Sequence, residues 1–212
     1  MSDFYIKLRY RGKLKQPSDV QQLIAETEDI CRTNSWKYRV WDEDWLVPES
    51  LSLNASPESM SFEGHAPLKG ITLTVGKSET IWLTFLPSGL LQSLLTIANP
   101  TFFLDDATFP WQRAKTGYDG ATTHIALCKF LHYLADKYFD VFEVLDESGY
   151  WEHKDDAKFT EWINTAIRNH QLFSEGLDAI YNDESLSKEE RRTQLRRLGK
   201  NFGTIRYNSE ES

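Results

Sequence analysis

Apolar and polar residues alternate with period two at the amino end. Phe4, Ile6, Leu8 and Tyr10 fall on one face, and Lys7, Arg9 and Arg11 on the other. Such alternation predicts a strand buried on one side only. The period then changes. Val20, Leu23, Ile24, Thr27, Ile30 and Cys31 recur at helical spacing, behind Ser18 and Gln21 placed as a capping box. Residues 36–41 alternate again, with Lys37 and Arg39 on the polar face. A strand–helix–strand crossover that set this strand beside the first would put five cations on one sheet face. Like charges opposite each other destabilise a sheet, which an acidic segment, a subunit or an anionic ligand would relieve; the ordinary outcome is that the long stems splay and stay solvated.

Residues 42–70 carry little pattern; Asp42-Glu43-Asp44 and Pro48, Pro57 and Pro67 point to loop with short strand pieces near Leu51 and Leu53. A hairpin follows, with Ile71, Leu73 and Val75 in one arm and Ile81, Leu83 and Phe85 in the other. Trp82 and Leu86 make the second arm apolar on both faces, as in a central strand. Residues 90–98 read as a third antiparallel strand after the Pro87-Ser88-Gly89 turn. Residues 99–117 read as a long loop anchored by Phe102, Phe103, Phe109 and Trp111.

A central amphipathic helix is predicted over 119–138, with Leu127, Phe130, Leu131, Leu134 and Tyr138 on its apolar side and Asp119 as its cap. A short strand over 141–145 leads into an acidic-aromatic loop over 146–153. From 155 onward the chain is helical. Gly176 is placed as a break, and Ser187 with Glu190 as a capping box for a last helix ending about Leu198. The tail from Asn208 is polar. The pattern as a whole predicts an α+β fold: a mostly antiparallel sheet of about five to six strands with helices packed on one face and a helical C-terminal region. Residues 1–181 form the domain, and 182–212 form a charged helix and frayed tail.

Composition adds three points. Apolar residues are 40% of the chain, with seven Trp, nine Tyr and twelve Phe, enough for an aromatic core. A net charge of -8 argues against a nucleic-acid partner. Two cysteines far apart, Cys31 and Cys128, both within apolar helical patterns, read as free thiols of a cytoplasmic protein. The amino end has no signal-peptide pattern, and no apolar run approaches the ~20 residues of a membrane span.

Candidate chemistry gathers in residues 115–153. His124, Cys128 and His132 stand at i, i+4 and i+8, a spacing that metal ligands use, although buried core and helix-edge roles explain them better. The loop residues Asp146, Glu147, Tyr150, Trp151, Glu152 and His153 mix carboxylates, an imidazole and aromatic platforms, the parts that acid–base hydrolysis uses, although an acidic surface turn whose aromatics dock into the core explains them better. Lys115 and Asp119 flank the helix start, where backbone N–H groups can hold an anion. No spacing implies a cofactor. The sequence therefore supports a non-enzymatic binding or protein-interaction module, with a protein partner or a second copy of itself and no membrane. The alternative is a hydrolase-like enzyme, acid–base or metal-assisted, with its site between the 146–153 loop and the helix start.

Overall fold

A computed structural model of the protein describes residues 4–55, 59–99 and 108–201. Phe102, Phe103 and the tail from Asn208 lie outside the described residues. The class is α+β, with antiparallel strands throughout, but the expected single sheet is divided. Among the described residues, eight strands form two three-stranded sheets and a two-stranded hairpin.

The first sheet is built around β1 (Ile6–Leu14), which lies between β7 (Gln112–Thr116) and β8 (Phe139–Asp146). The second is built around β5 (Lys69–Thr74), which lies between β2 (Lys37–Asp42) and β6 (Ile81–Phe85). The hairpin pairs β3 (Ser52–Ala55) with β4 (Met60–Glu63). The crossover after β1 therefore delivers β2 to the other sheet, and the cations of these two strands do not share a face. In the second arm of the 71–86 hairpin, both faces are apolar for a different reason from the one expected. β6 is an edge strand, and Trp82 is covered by Trp41, with ring centroids 5.6 Å apart.

Two helices pack on the sheets, one against β5 and the other against β8. α1 (Val20–Thr33) buries Val20, Leu23, Ile24, Thr27 and Cys31. Its start is a short 3-10 turn at Pro17–Asp19 rather than a Ser18 capping box. α3 (Ala121–Tyr138) buries Leu127, Phe130, Leu131, Leu134 and Tyr138 along one side. Both join one core with Leu8 and Tyr10 of β1 and Leu73, Ile81 and Leu83 of the second sheet. Each fully buried Leu contributes roughly 1.5–3 kcal/mol. Tyr10 also locks the sheets together. Its hydroxyl accepts from Trp82 N at 2.8 Å and donates to Trp82 O at 3.2 Å. Burial pushes the Tyr10 phenol well above its ordinary pKa, so both bonds survive at any working pH.

Two further assignments change. Residues 90–98 are not a strand. Leu90 and Leu91 make only isolated bridges, and Ser93 then caps α2 (Leu94–Ala98) in a capping box with Thr96. The Ser-x-x-Thr box wins over the run of β-compatible leucines because it satisfies the backbone donors of the first turn. Nor is all of 99–117 loop: β7 lies within it. Its inward residues are Gln112, Ala114 and Thr116, so the alternation is present but not greasy.

β8 is followed by a tight turn, the single-turn α4 (Tyr150–His153), and α5 (Asp156–Asn182), capped by Asp155. α5 runs 27 residues without a break at Gly176. A Cβ there would come within 2.7 Å of Leu198, so the missing side chain seats α6 (Lys188–Asn201) against α5. The Ser187 capping box is present: Ser187 Oγ accepts from Glu190 N at 3.3 Å, and Glu190 accepts from Ser187 N at 2.9 Å. Among the described residues no helix is long and apolar enough to cross a membrane.

Candidate functional site

The β7–β1–β8 sheet brings chemistry together on both of its faces. Register decides which residues meet. On the outer face Lys7 is paired with Lys115, and Arg9 with Arg113, as direct cross-strand partners. Cβ atoms of such partners lie about 4.5–5.5 Å apart, where like charges repel. The four cations line a cavity of about 420 Å³ together with Ala114, Glu79 and Glu147.

Two glutamates close its rim. Glu147 reaches Lys7 at 3.6 Å and Glu79 reaches Lys115 at 3.4 Å. The Glu79 carboxylate is the main reason that Lys115 binds its proton more tightly than an ordinary lysine. Aromatic rings steady the arginines. Arg11 lies 4.4 Å from the Trp111 ring centre and 4.8 Å from that of Phe109, Arg9 lies 5.7 Å from Trp111, and Lys115 Nζ lies 4.7 Å from Tyr5. Arg11 is also paired with Glu143 at 2.6 Å. Among the described residues, the groove sets four cations beside two carboxylates, on a chain whose net charge is -8.

The inner face carries a buried cluster. Gly120, at φ 95, lets the chain turn from β7 into α3, and this sets Thr116 beside His124. His124 Nδ1 lies 2.7 Å from Thr116 Oγ1. Its other nitrogen, Nε2, meets Asp146 Oδ2 at 3.1 Å, Ser148 Oγ at 3.2 Å and Cys128 Sγ at 3.5 Å. Both the His124 and the Asp146 side chains are 0% exposed, although the Asp146 backbone is partly accessible. The carboxylate is heavily solvated by protein. Ser148 N donates to Oδ1 at 2.9 Å, Trp151 N to Oδ2 at 3.0 Å, and Ser148 Oγ to both oxygens. Burial pushes the Asp146 carboxyl upward, but the His124 and Ser148 bonds outweigh it and hold the group below its ordinary value. Burial also pushes the Cys128 thiol well above its ordinary value, and the Asp146 charge adds to this. Cys128 is therefore no ready thiolate nucleophile.

No family model, curated protein or solved structure matches the chain, so the reading rests on this geometry.

The nominated residues divide into groups. His124 and Asp146 meet in the cluster with Cys128. Lys115 and Glu147 face the groove on the opposite side of the sheet. Asp119 is not the helix cap: Gly120 holds that position without a side-chain bond, and Asp119 instead accepts from Thr123 Oγ1 at 2.9 Å and from Lys77 N at 3.2 Å. Tyr150 is buried and donates to Asp156 at 2.6 Å. His132 points away from His124 and Cys128. It stacks on Trp151 at 3.5 Å with its Nε2 3.1 Å from Trp151 O, and burial lowers its pKa. Glu152 and His153 are exposed and line neither the groove nor the cluster.

Among the described residues, no Ser-His-Asp or Cys-His-Asp relay forms at this cluster. Serine, cysteine and aspartate all address the same ring nitrogen, whereas a relay needs acid and nucleophile on opposite nitrogens.

Sequence reasoning did not single out Ser148, Arg113 or Glu79. Ser148 lies two residues after Asp146, an Asx-turn spacing that signals its bond to that carboxylate. Arg113 was hidden because its strand lacks large apolar residues.

Proposed function

We propose that this is a non-catalytic binding protein whose β7–β1–β8 face receives an acidic segment of a protein partner. The observation that carries the reading is the pair of like-charged cross-strand partners, Lys7 with Lys115 and Arg9 with Arg113, lining one groove. A folded chain that sets four cations side by side loses stability unless carboxylates come to meet them. Glu79 and Glu147 answer the two lysines at the rim, and a partner's Asp or Glu side chains add further carboxylates to the same cationic face. The rim glutamates and the net charge of -8 weigh against a continuous polyanion such as nucleic acid, which would be repelled beyond the groove. Tyr5, exposed beside Lys115, and Phe109, half-buried beside Arg11, offer flat apolar contact next to the charges, in keeping with a peptide segment. Two buried free cysteines suit a reducing compartment, and we place the protein in the cytoplasm on that ground.

The hydrolase alternative finds less support. The residues with acid–base character near Asp146 are either sealed in the core, as His124 is, or exposed apart from the groove, as Glu152 and His153 are.

Calorimetric titration with a peptide carrying a run of glutamates tests the proposal. Binding is expected at low salt and is expected to weaken steeply as salt rises. Arg9→Glu with Arg113→Glu should abolish it, while Lys77→Glu, outside the groove, should not. Wild-type protein that ignores the acidic peptide, or a double variant that binds it unchanged, refutes the reading. Tighter binding to a nucleic-acid oligomer than to the peptide would do so as well.

A further inference from the structure

We propose that His124, Cys128 and Asp146 form a buried zinc-type metal site, independent of the groove and of the partner that it takes. Among the described residues these three side chains are the group whose ligand atoms gather closely, all within 4.8 Å of one another. Two of the separations are informative. His124 Nε2 lies 3.1 Å from Asp146 Oδ2 and 3.5 Å from Cys128 Sγ. A tetrahedral zinc with bonds of roughly 2.0–2.3 Å to N, O and S places neighbouring ligand atoms about 3.3–3.6 Å apart. The side chains therefore already stand close to the edges of such a polyhedron. Ser148 Oγ lies 3.2 Å from the same nitrogen and donates to both Asp146 oxygens.

Hydrogen bonding alone accounts poorly for this arrangement. One ring nitrogen has one proton or one lone pair, yet three heteroatoms approach Nε2 within 3.5 Å. A dication in their midst turns that crowding into coordination. Charge agrees. A thiolate and a carboxylate balance two positive charges, which a sealed interior requires. On binding, the thiol proton leaves to solvent as the metal–sulfur bond forms.

The outer shell is also in place. His124 Nδ1 is held by Thr116 Oγ1, which fixes the ring so that Nε2 faces the cluster. Trp151 N and Ser148 N hold the carboxylate from behind. Metal-bound histidines and carboxylates are held in this way. The donor set of imidazole, thiol and carboxylate selects a borderline cation such as Zn²⁺ and excludes the oxygen-loving Mg²⁺ and Ca²⁺. With every ligand side chain sealed from solvent, the role is structural. The ion ties the first turns of α3 to the end of β8.

The test is titration of chelator-dialysed full-length protein with Co²⁺, read by absorption. Wild type is expected to take up about one equivalent, with a thiolate-to-cobalt band in the near ultraviolet and the strong visible bands of a tetrahedral centre. Zn²⁺ should bleach both. Cys128→Ser should lose the thiolate band and Cys31→Ser keep it. Thr116→Val, which touches no metal, should weaken Co²⁺ affinity by roughly 10–100-fold. Absence of the thiolate band in wild type overturns the proposal, and that measurement stands even if a variant fails to fold. A band that persists in Cys128→Ser, or disappears in Cys31→Ser, overturns it equally.

Discussion

On the outer face of the β7–β1–β8 sheet, Lys7, Arg9, Arg113 and Lys115 stand in water, like charge against like charge, with Glu79 and Glu147 at the rim. On the inner face of the same three strands, the Asp146 and His124 side chains are sealed from water, and the carboxylate is met by His124, Ser148 and Trp151. The same backbone ladder holds both. Water screens the outer charges, so like charges can stand side by side there within reach of a partner. Nothing screens the inner charges, so each must be answered by protein atoms or by an ion. The difference separates charge kept for binding from charge kept for architecture.

Breaking the inner pair should have the largest effect. Asp146→Ala removes a carboxylate that answers His124, Ser148 and Trp151, and breaking a buried pair of this kind costs about 3–5 kcal/mol. Urea denaturation should show it as a large drop in midpoint; a loss under about 1 kcal/mol would mean that the cluster is not the structural tie described.

The next effect depends on pH. Because the folded Asp146 pKa is depressed, its contribution is present above the ordinary carboxyl value of 3.8 and is lost as pH falls through the lower folded value. The stability difference between wild type and Asp146→Asn should therefore be full at neutral pH and close in acid below that value. A difference that stays constant down to acid would show that the charge contributes nothing.

The outer face should answer through binding. Arg113→Glu places an acid in the groove opposite Arg9 and should weaken acidic-peptide binding several-fold at low salt, with a smaller change in thermal melts than Asp146→Ala produces. Peptide binding that is unchanged in this variant would count against an incoming acidic segment. The smallest change is expected at Glu152→Ala, an exposed position outside both groups: within about 0.5 kcal/mol in the same melts.

Periodicity made the elements around the core legible. β1, α1, the β5–β6 hairpin, α3 and the Ser187-capped α6 follow from apolar spacing and caps, because burial of a stripe or a face dictates those patterns. The proximity of the α3 start to the turn after β8 also followed, since a helix laid on a sheet returns the chain to the same end. Pairing was less legible. Nothing local in Lys37 to Asp42 says that the strand joins β5 rather than β1. β7 was hidden because Gln112, Ala114 and Thr116 fill the inward positions of a strand. At the site, His124 and Cys128 share a helix face by spacing alone, but their third companion is Asp146 and not His132. The helix wheel gave His132 a direction further round, and Trp151 offered it a flat ring to stack on.

α5 has a mechanical consequence of its own. It buries Phe159, Ile163 and Ala166 in its first half, where it packs on α3, and meets α6 through Gly176 and Ile180 in its second. At about 1.5 Å per residue this is a rod some 40 Å long, clamped at one end and loaded at the other. A tilt of a few degrees where Phe159 is seated swings the α6 end by several ångströms, so the side chains gripping the near end of the rod set the position of the far one.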